Sequence, residues 1–369
     1  YLPINSIRSF SDVMYILCCG TGVGFSCERD EVDALPSVPE IQRIEDNIIV
    51  VEDSREGWAN AYKTLLEYLY KGIHPTWDTN LIRPKGARLK TFGGRASGPE
   101  PLERLFKFTV GIFYSRQGHK LTSLDVHDLI CMIGEIVIAG GVRRSALISL
   151  SDLDDREKSG PWWEGSSHRS LANNSAVYET KPTLGRFMEE WNSLYDSRSG
   201  ERGICNREAM DTIAKASNRE STKWGTNPCS EIILKPKQFC NLTEVVVRPH
   251  DDRATLRRKV HAATILGTVQ SACTKFSYLD YEWKANCDDE RLLGVSFTGI
   301  FDSELMSTDS EELRETLSFL RKEAKDTNEE WAGIMDINKS KAITCCKPSG
   351  TTSCVAGTSS GIHPRFANY

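Results

Sequence analysis

The chain lacks long apolar runs, a strong net charge and repeated or low-complexity segments. Its 369 residues carry a formal net charge of -5 at pH 7. Charged residues or glycine interrupt every apolar stretch within about ten residues, which is too short to span a bilayer, and the N-terminus has no signal-peptide pattern. The weak net charge gives no general attraction to nucleic acid or to an anionic membrane. These absences favour an ordinary soluble globular protein that binds neither.

Cysteine-based frameworks are also absent. Twelve cysteines in 369 residues are too sparse for a disulfide scaffold, and two pairs of them are adjacent in sequence, Cys18-Cys19 and Cys345-Cys346. No C-x-x-C or H-E-x-x-H pattern occurs, so the sequence gives little support to a protein-bound metal such as zinc. Free thiols of this kind are typical of a reducing, cytoplasmic compartment.

Alternating helical and strand patterns run through the chain. Apolar residues at helical spacing predict helices over 54–72, 123–137 and 310–331, and Ser9 or Ser11 is predicted to cap a short helix that Gly20 ends. Short apolar runs predict strands over 48–51, 142–148 and 292–297. This alternation favours an α/β fold with parallel strands. Because no linker is visible, we expect residues 1–369 to form one continuous body.

The stretch around Cys229 carries the most chemical information. Pro228 disfavours helix at Asn227, so the segment is predicted to be extended. Alternate side chains of an extended chain point the same way, which would place Asn227, Cys229 and Glu231 on one face. Cys240 follows closely in sequence, so a second sulfur atom can lie near Cys229. The alternative is an ordinary buried cysteine beside a loop proline; the flanking amide and acid favour a chemical role.

Three further segments are rich in glycine, hydroxyl groups or arginine. Residues 91–99 and 347–353 have the composition of loops whose backbone amides meet an anion. Residues 140–146 place the adjacent pair Arg143 and Arg144 after two glycines, which suits phosphate or carboxylate binding. Each pattern alone also fits a structural turn or a solvated charged pair.

Seven stretches, taken together and in order, resemble the catalytic subunit of ribonucleotide reductase. The resemblance is greatest to the adenosylcobalamin-dependent (class II) ribonucleoside-triphosphate reductases, and it covers nearly all of the chain. The stretches are CGTGVGFS at 19–26, FGGRASGP at 92–99, GVRRSA at 141–146, ANNS at 172–175, GTNPCSEI at 225–232, CNL at 240–242 and KPSG at 347–350.

The resemblance implies a fold. Members of this family have a ten-stranded α/β barrel made of two parallel five-stranded halves, and a central finger loop. Residues 1–369 would form an incomplete barrel of this type. The finger loop would lie near 225–242 and carry Cys229 at its tip to the barrel centre.

The resemblance also implies a mechanism. Cys229 would become a thiyl radical, generated with adenosylcobalamin, and would take the 3'-hydrogen of the ribose. Glu231 would act as base on the 3'-hydroxyl, and Asn227 would hold the ribose hydroxyls. The 2'-hydroxyl would leave as water, and Cys240 would be one member of the cysteine pair that supplies the reducing equivalents.

Binding sites follow by the same resemblance. The substrate, a ribonucleoside triphosphate, would meet two loops: Ser349, Gly350, Thr351 and Thr352 at its phosphates, and Gly93, Gly94, Ser97 and Gly98 near the nucleotide. The loop that connects a deoxynucleoside triphosphate effector site to the active site would comprise Gly140, Gly141, Val142, Arg143 and Arg144. A thioredoxin-like protein would be the reductant.

The resemblance further implies that parts of the enzyme lie outside this sequence. The first cysteine of the reducing pair is expected just upstream of Tyr1. The relay cysteines and the last barrel strands are expected beyond Tyr369. We therefore expect that the 369-residue chain does not turn over alone, and multiple turnovers with thioredoxin would contradict this.

Two other functions fit parts of the same pattern. A class I large subunit, which acts on diphosphates and receives its radical from a separate subunit, shares the Asn-x-Cys-x-Glu arrangement. Pro228 and the context of Cys240 favour the cobalamin-dependent type. The other possibility is a non-catalytic nucleotide-binding fragment. The presence of Asn227, Cys229 and Glu231 argues against it.

Overall fold

The computed structural model describes residues 1–44, 47–89, 94–139, 142–143, 145–159, 164 and 166–365. Contacts group the chain into two compact units, Tyr1–Met210 and Asp211–Tyr369. The expected single catalytic barrel over 1–369 stays a prediction. Among the described residues, no helix is both long and apolar enough to cross a bilayer.

The first unit alternates helices with short strands. In chain order its elements are β1 (Leu2–Pro3), α1 (Ile7–Cys18), β2 (Val23–Ser26), α2 (Arg29–Val32), β3 (Ile48–Val50), α3 (Arg55–Tyr70), β4 (Thr76–Asp78), α4 (Glu100–Ser115), α5 (Ser123–Ile136), β5 (Ile138–Ala139), β6 (Val142–Arg143), β7 (Leu147–Asp152), β8 (Ala172–Tyr178), α6 (Leu184–Ser197) and β9 (Gly203–Asn206). The helix α7 (Arg207–Ala216) contains the residues at which the two units divide.

Five parallel strands form the main sheet of the first unit, in the order β1-β2-β7-β8-β9. Every residue of β2 is buried, as are the first five of β7. Parallel sheets are normally covered on both faces and therefore read as near-continuous apolar runs. This sheet has the strand number and direction predicted for one half of the barrel.

Local sequence explains where the helices of this unit begin. The helix predicted from Ser54 is confirmed as α3, and Ser54 caps it by accepting a hydrogen bond from the Gly57 backbone N–H. The short helix predicted before Gly20 is present as α1, but its predicted cap was wrong. Ser6 is the cap, and Ser9 lies inside the first turn and donates its backbone N–H to Ser6. A serine can cap only from the non-helical position that precedes the first turn.

The second unit contains one parallel strand pair, one antiparallel hairpin and the longest helices. Its elements are β10 (Gly225–Thr226), β11 (Ile233–Leu234), β12 (Asn241–Val246), α8 (Arg253–Ser271), α9 (Tyr281–Glu290), β13 (Leu293–Thr298), α10 (Glu304–Ser307), α11 (Glu311–Ile334) and α12 (Thr351–Ala356). Strands β12 and β13 are parallel, whereas β10 and β11 pair antiparallel. The helix and strand predicted at 310–331 and 292–297 correspond to α11 and β13.

The core of the second unit lies between the strand pair and helices α8 and α11. Its buried members are Val245, Val247, Leu256, Val260, Ala263, Val295, Met306, Leu320 and Ala324. Val245 and Val295 come from the same face of β12 and β13, so the opposite face of these strands does not contribute to this core. That opposite face carries the candidate site.

Gly294 is a point of close packing on this opposite face. A Cβ atom at this position would lie 2.4 Å from Leu242 Cδ2, 3.0 Å from Cys345 Sγ and 3.1 Å from Ile232 Cδ1. Real Cβ atoms do not approach other atoms so closely, so a side chain here would push the neighbours apart.

We expect Gly294→Ala to lower the free energy of unfolding by about 1–3 kcal/mol, since overpacking forces neighbouring side chains out of position. The matched control is Gly333→Ala in α11, where a Cβ atom would meet nothing within 4 Å. That change should leave stability unchanged or raise it by up to about 1 kcal/mol. Urea denaturation measures both, and an equally stable Gly294→Ala variant would contradict the packing argument.

Candidate active site

Residues 227–230 form a tight turn between β10 and β11. The Ser230 N–H donates to the Asn227 carbonyl at 3.0 Å, and Ser230 has a positive φ of 64°. The predicted extended conformation is therefore wrong. Asparagine followed by proline suits the first two positions of a turn, because proline fixes the φ that the second position needs. The chain therefore bends at Pro228 and Cys229, and the strand-like alternation predicted through Glu231 does not hold.

The Asn227 side chain holds the loop in place. It is 8% exposed, and its Oδ1 accepts a hydrogen bond from the Ile232 N–H at 3.0 Å. A buried backbone donor left without a partner costs about 1–3 kcal/mol, so this contact stabilises the hairpin loop. The structure thus gives Asn227 a structural role in addition to the substrate contact predicted for it.

Cys229 and Glu231 lie close enough to interact electrostatically. Cys229 is an exposed residue of the turn, yet its thiol is partly shielded, and this desolvation together with the charge of Glu231 raises its pKa. Lys347 acts in the opposite direction. Among the described residues, the Oε2 atom of Glu231 is buried and has no hydrogen-bond partner. The acid is therefore available to a ligand beside the thiol.

Two more thiols share this environment. Burial raises the pKa of Cys240 to about 12, and the charge of Glu231 contributes to the increase. Burial likewise raises the pKa of Cys345 to about 12, with contributions from Glu231 and Cys240. Sequence reasoning identified Cys229, Glu231 and Cys240 but missed Cys345. Its position just before the K-P-S-G stretch was the available signal.

The open face of β12 and β13 carries further polar groups. Glu244 pairs in register with Ser296, and Leu242 pairs with Gly294, so these side chains share a face. The Glu244 Oε1 and Ser296 Oγ atoms are buried and have no hydrogen-bond partner among the described residues. Buried polar atoms normally have one. Since Cys240 directly precedes β12, this face indicates a place for a polar ligand near that thiol.

The predicted phosphate loop of the second unit surrounds the start of α12. Ser349 is buried and its Oγ accepts a hydrogen bond from the Ser353 N–H at 3.2 Å. Gly350, Thr351 and Thr352 are exposed. Their predicted phosphate contacts stay a prediction, and the hydroxyl oxygen of Ser349 already serves the helix start.

The other predicted nucleotide loop belongs to the first unit. Gly93 lies outside the described residues. Gly94 is exposed, and Ser97 donates its hydroxyl hydrogen to the Gly98 carbonyl at 3.3 Å. Gly98 has a φ of 82°, and a Cβ atom there would lie 3.1 Å from the backbone nitrogen of Lys85. Glycine is thus required at this position for packing, whatever it binds.

The predicted effector loop is described only in part. Gly140, Gly141 and Arg144 lie outside the described residues, while the backbone of Val142–Arg143 forms β6 and pairs antiparallel with β5. Its regulatory role stays a prediction. Among the residues that the structure covers, no three His, Cys, Asp or Glu side chains are placed to hold a metal ion.

Comparisons with solved structures and curated proteins agree with the resemblance in the sequence. A B12-dependent (class II) ribonucleotide reductase superposes with a TM-score of 0.78 at 24% identity, covering 97% of this chain and 58% of that one. The chain has the class II ribonucleotide reductase fold. The predicted fold class is therefore confirmed. The class Id ribonucleotide reductase alpha subunit of Actinobacillus ureae is less similar, with a TM-score of 0.52, 14% identity and coverage of 92% and 65%.

Curated relatives carry the name adenosylcobalamin-dependent ribonucleoside-triphosphate reductase. The protein of Lacticaseibacillus paracasei is 28% identical, with coverage of 95% of this chain and 55% of the relative. That of Lactobacillus acidophilus is 29% identical, with coverage of 86% and 47%. The resemblance inferred from the seven stretches is thus confirmed, and the chain spans about half the length of the curated relatives it matches.

One match adds what the sequence reasoning missed. Residues 31–110 match the family described as "B12-dependent ribonucleotide reductase, insertion domain". The sequence analysis did not separate this segment from the rest of the chain. The predicted nucleotide loop at 91–99 lies within it.

We expect Glu231→Gln to lower the pKa of Cys229, because it removes a neighbouring negative charge that disfavours the thiolate. At a fixed pH near 8 the variant should therefore react faster with iodoacetamide at Cys229. Peptide mass spectrometry across a pH series measures this rate. Glu220→Gln, outside the hairpin, is the control, and an unchanged pH profile for Glu231→Gln would contradict the proximity of acid and thiol.

Proposed function

We propose that the full-length protein containing this chain reduces ribonucleoside triphosphates to 2'-deoxyribonucleoside triphosphates by an adenosylcobalamin-dependent radical mechanism. The observation that carries this proposal is that the charge of Glu231 contributes to raising the pKa of both Cys229 and Cys240. The Oε2 atom of Glu231 is itself buried and has no hydrogen-bond partner among the described residues. The class II fold and the names of the relatives support it.

The position of Cys229 suits a cofactor-generated radical. When bound, adenosylcobalamin supplies a carbon-centred radical that can remove hydrogen from a thiol. Cys229 stands at an exposed turn, so its sulfur can be approached from outside the hairpin. A thiyl radical at Cys229 would then take the 3'-hydrogen of the ribose, since S–H and activated C–H bonds are similar in strength.

Glu231 supplies the base. Its Oε2 atom is buried without a partner among the described residues, and it can accept the 3'-hydroxyl proton as the 2'-hydroxyl leaves as water. General-base catalysis of this kind contributes roughly 10²- to 10⁴-fold. Because the Asn227 Oδ1 atom already accepts the Ile232 N–H, we assign the contact of Asn227 with the ribose to its amide N–H groups.

Cys240 supplies one of the two reducing thiols. Two thiols lose two hydrogens and join as a disulfide, and the substrate gains these hydrogens as its 2'-oxygen leaves in water. The partner thiol in this proposal is a second cysteine of the full-length protein. A thioredoxin-like protein would reduce the disulfide between turnovers.

The rest of the full-length protein has a role in this proposal. A radical site needs protection from water and side reactions, whereas Cys229 is exposed here. The curated relatives are nearly twice as long as the matched region. We propose that further strands of the full-length protein enclose the hairpin and complete the barrel.

The remaining partners are proposed from the resemblance. Ser349, Gly350, Thr351 and Thr352 would meet the substrate phosphates, and a deoxynucleoside triphosphate would act through residues 140–144. Location in the reducing cytoplasm, without nucleic acid or membrane partners, stays a prediction.

The class I alternative has weaker support. The class Id subunit superposes with a TM-score of 0.52, against 0.78 for the class II enzyme. A class I subunit would need a separate radical-generating protein, whereas the proposed enzyme needs only adenosylcobalamin and a dithiol reductant.

We expect the full-length protein to form deoxynucleotides from ribonucleoside triphosphates only when adenosylcobalamin and a dithiol are present. Cys229→Ser should abolish turnover, because the O–H bond of serine is too strong for reversible hydrogen transfer. Glu231→Gln should lower kcat by roughly 10²- to 10⁴-fold through loss of the base. Chromatography of the products measures both, and electron paramagnetic resonance reports the coupled cob(II)alamin–thiyl signal.

Cys273→Ser is the matched control, because Cys273 is an exposed thiol near the end of α8. It should retain full activity. Turnover by the Cys229→Ser variant, or turnover without cobalamin, would contradict the proposed function. Deoxynucleotide binding without any deoxynucleotide formation would favour the non-catalytic alternative.

A further inference from the structure

A cluster of buried nucleophilic side chains lies in the first unit, outside the candidate active site. Cys27 directly follows β2, Ser149 lies in β7, and Lys158 ends a short 3-10 turn after that strand. His127 and Cys131 face them from α5. All five are fully or almost fully buried, with Lys158 only 1% exposed. The proposed reductase mechanism uses none of them.

The lysine of this cluster contacts a thiol directly. Lys158 Nζ lies 3.1 Å from Cys27 Sγ, 2.7 Å from Ser149 Oγ and 3.3 Å from His127 Nδ1. Cys27 Sγ is also 3.2 Å from Ser149 Oγ. The residue after β2 and the 3-10 turn that follows β7 therefore place the sulfur and the nitrogen side by side, at positions 131 residues apart in sequence.

His127 and Cys131 contact each other and leave the Lys158–Cys27 contact to the lysine and that thiol. Burial and the nearby charge of Lys158 lower the pKa of His127 well below its usual value, so the ring is neutral. Its Nδ1 atom then accepts from Lys158, and its Nε2–H points to Cys131 Sγ at 3.2 Å. The histidine thus lies between Cys131 and the lysine nitrogen.

We propose that Cys27 and Lys158 are a redox modification site, at which dioxygen joins the two side chains through a covalent S–O–N bridge. One S–H bond and one N–H bond break. The thiol loses its hydrogen and the amine loses one, new S–O and O–N bonds form around one oxygen atom, and the second oxygen atom leaves as water. Sulfur and nitrogen each lose two electrons, and dioxygen gains four.

The buried position favours this product over the usual thiol oxidation. Dioxygen is small and apolar, so it enters a protein interior more easily than a charged or bulky oxidant. Addition of dioxygen to the Cys27 thiol gives an S–O–OH group beside the Lys158 nitrogen, because sulfur and nitrogen are already in contact. The nitrogen then attacks the sulfur-bound oxygen, the O–O bond breaks, and the outer oxygen leaves as water. The bridge would tie the end of β2 to the turn after β7, and such long-range cross-links restrict the unfolded chain.

The test compares full-length protein prepared in air with protein prepared without oxygen. After unfolding, alkylation and trypsin digestion, mass spectrometry should find the Cys27 and Lys158 peptides joined only in the aerobic sample. Their mass should exceed the sum of the free peptides by one oxygen less two hydrogens. Trypsin should not cut after Lys158, and treatment with dithiothreitol should release both peptides.

Variants identify the atoms involved. Cys27→Ser and Lys158→Met should lose the joined peptide, whereas Cys131→Ser should keep it, because Cys131 takes no part. A Cys27–Cys131 peptide pair lacking two hydrogens, or a Cys27 peptide that gains oxygen but stays unlinked, would overturn the proposal. So would a freely alkylated Cys27 in aerobic wild-type protein. None of these readouts depends on reductase activity.

Discussion

The hydrogen bond between Asn227 Oδ1 and the Ile232 N–H is the constraint on which the candidate site depends. It closes the turn that places Cys229 at its tip and returns the chain into β11. Within this loop Glu231 stays close enough to Cys229 for its charge to raise the pKa of the thiol. Without this contact Glu231 and Cys229 would no longer be held close to each other. A structural hydrogen bond inside the loop therefore keeps the two candidate catalytic side chains together.

The same hydrogen bond also positions Ile232, which packs against the strand pair β12 and β13. Ile232 reaches the space above Gly294 together with Leu242 and Cys345, and only glycine leaves room for all three. Glycine within a strand weakens it unless another group approaches closely. Here Ile232 of the hairpin approaches Gly294 of β13 closely and joins the hairpin to the strand pair β12 and β13. The absence of a side chain at Gly294 therefore lets Cys345 pack near the hairpin.

Sequence reasoning predicted the elements better than the loop that matters most. Helices such as α3 and α11 were predictable because their apolar spacing and capping serines are local signals. The alternation predicted from Asn227 to Glu231 fails because the chain turns at Pro228 and Cys229, a turn that asparagine before proline favours. The pairing of β10 with β11 completes this hairpin, and that pairing is not a local signal. Cys345 was missed for a related reason, since its proximity to Glu231 and Cys240 arises from tertiary packing.

The protonation state of the thiols links this geometry to radical chemistry. Hydrogen-atom transfer requires an S–H bond, whereas nucleophilic thiol chemistry requires the thiolate. Partial burial, together with the charge of Glu231, raises the pKa of Cys229 above its ordinary value, so at neutral pH the residue is a thiol and can give up a hydrogen atom. A cysteine protease or a disulfide exchange enzyme would need the opposite shift. In the proposed mechanism, the carboxylate that would accept a proton from the ribose therefore also keeps its neighbouring sulfur in the form that a radical reaction uses.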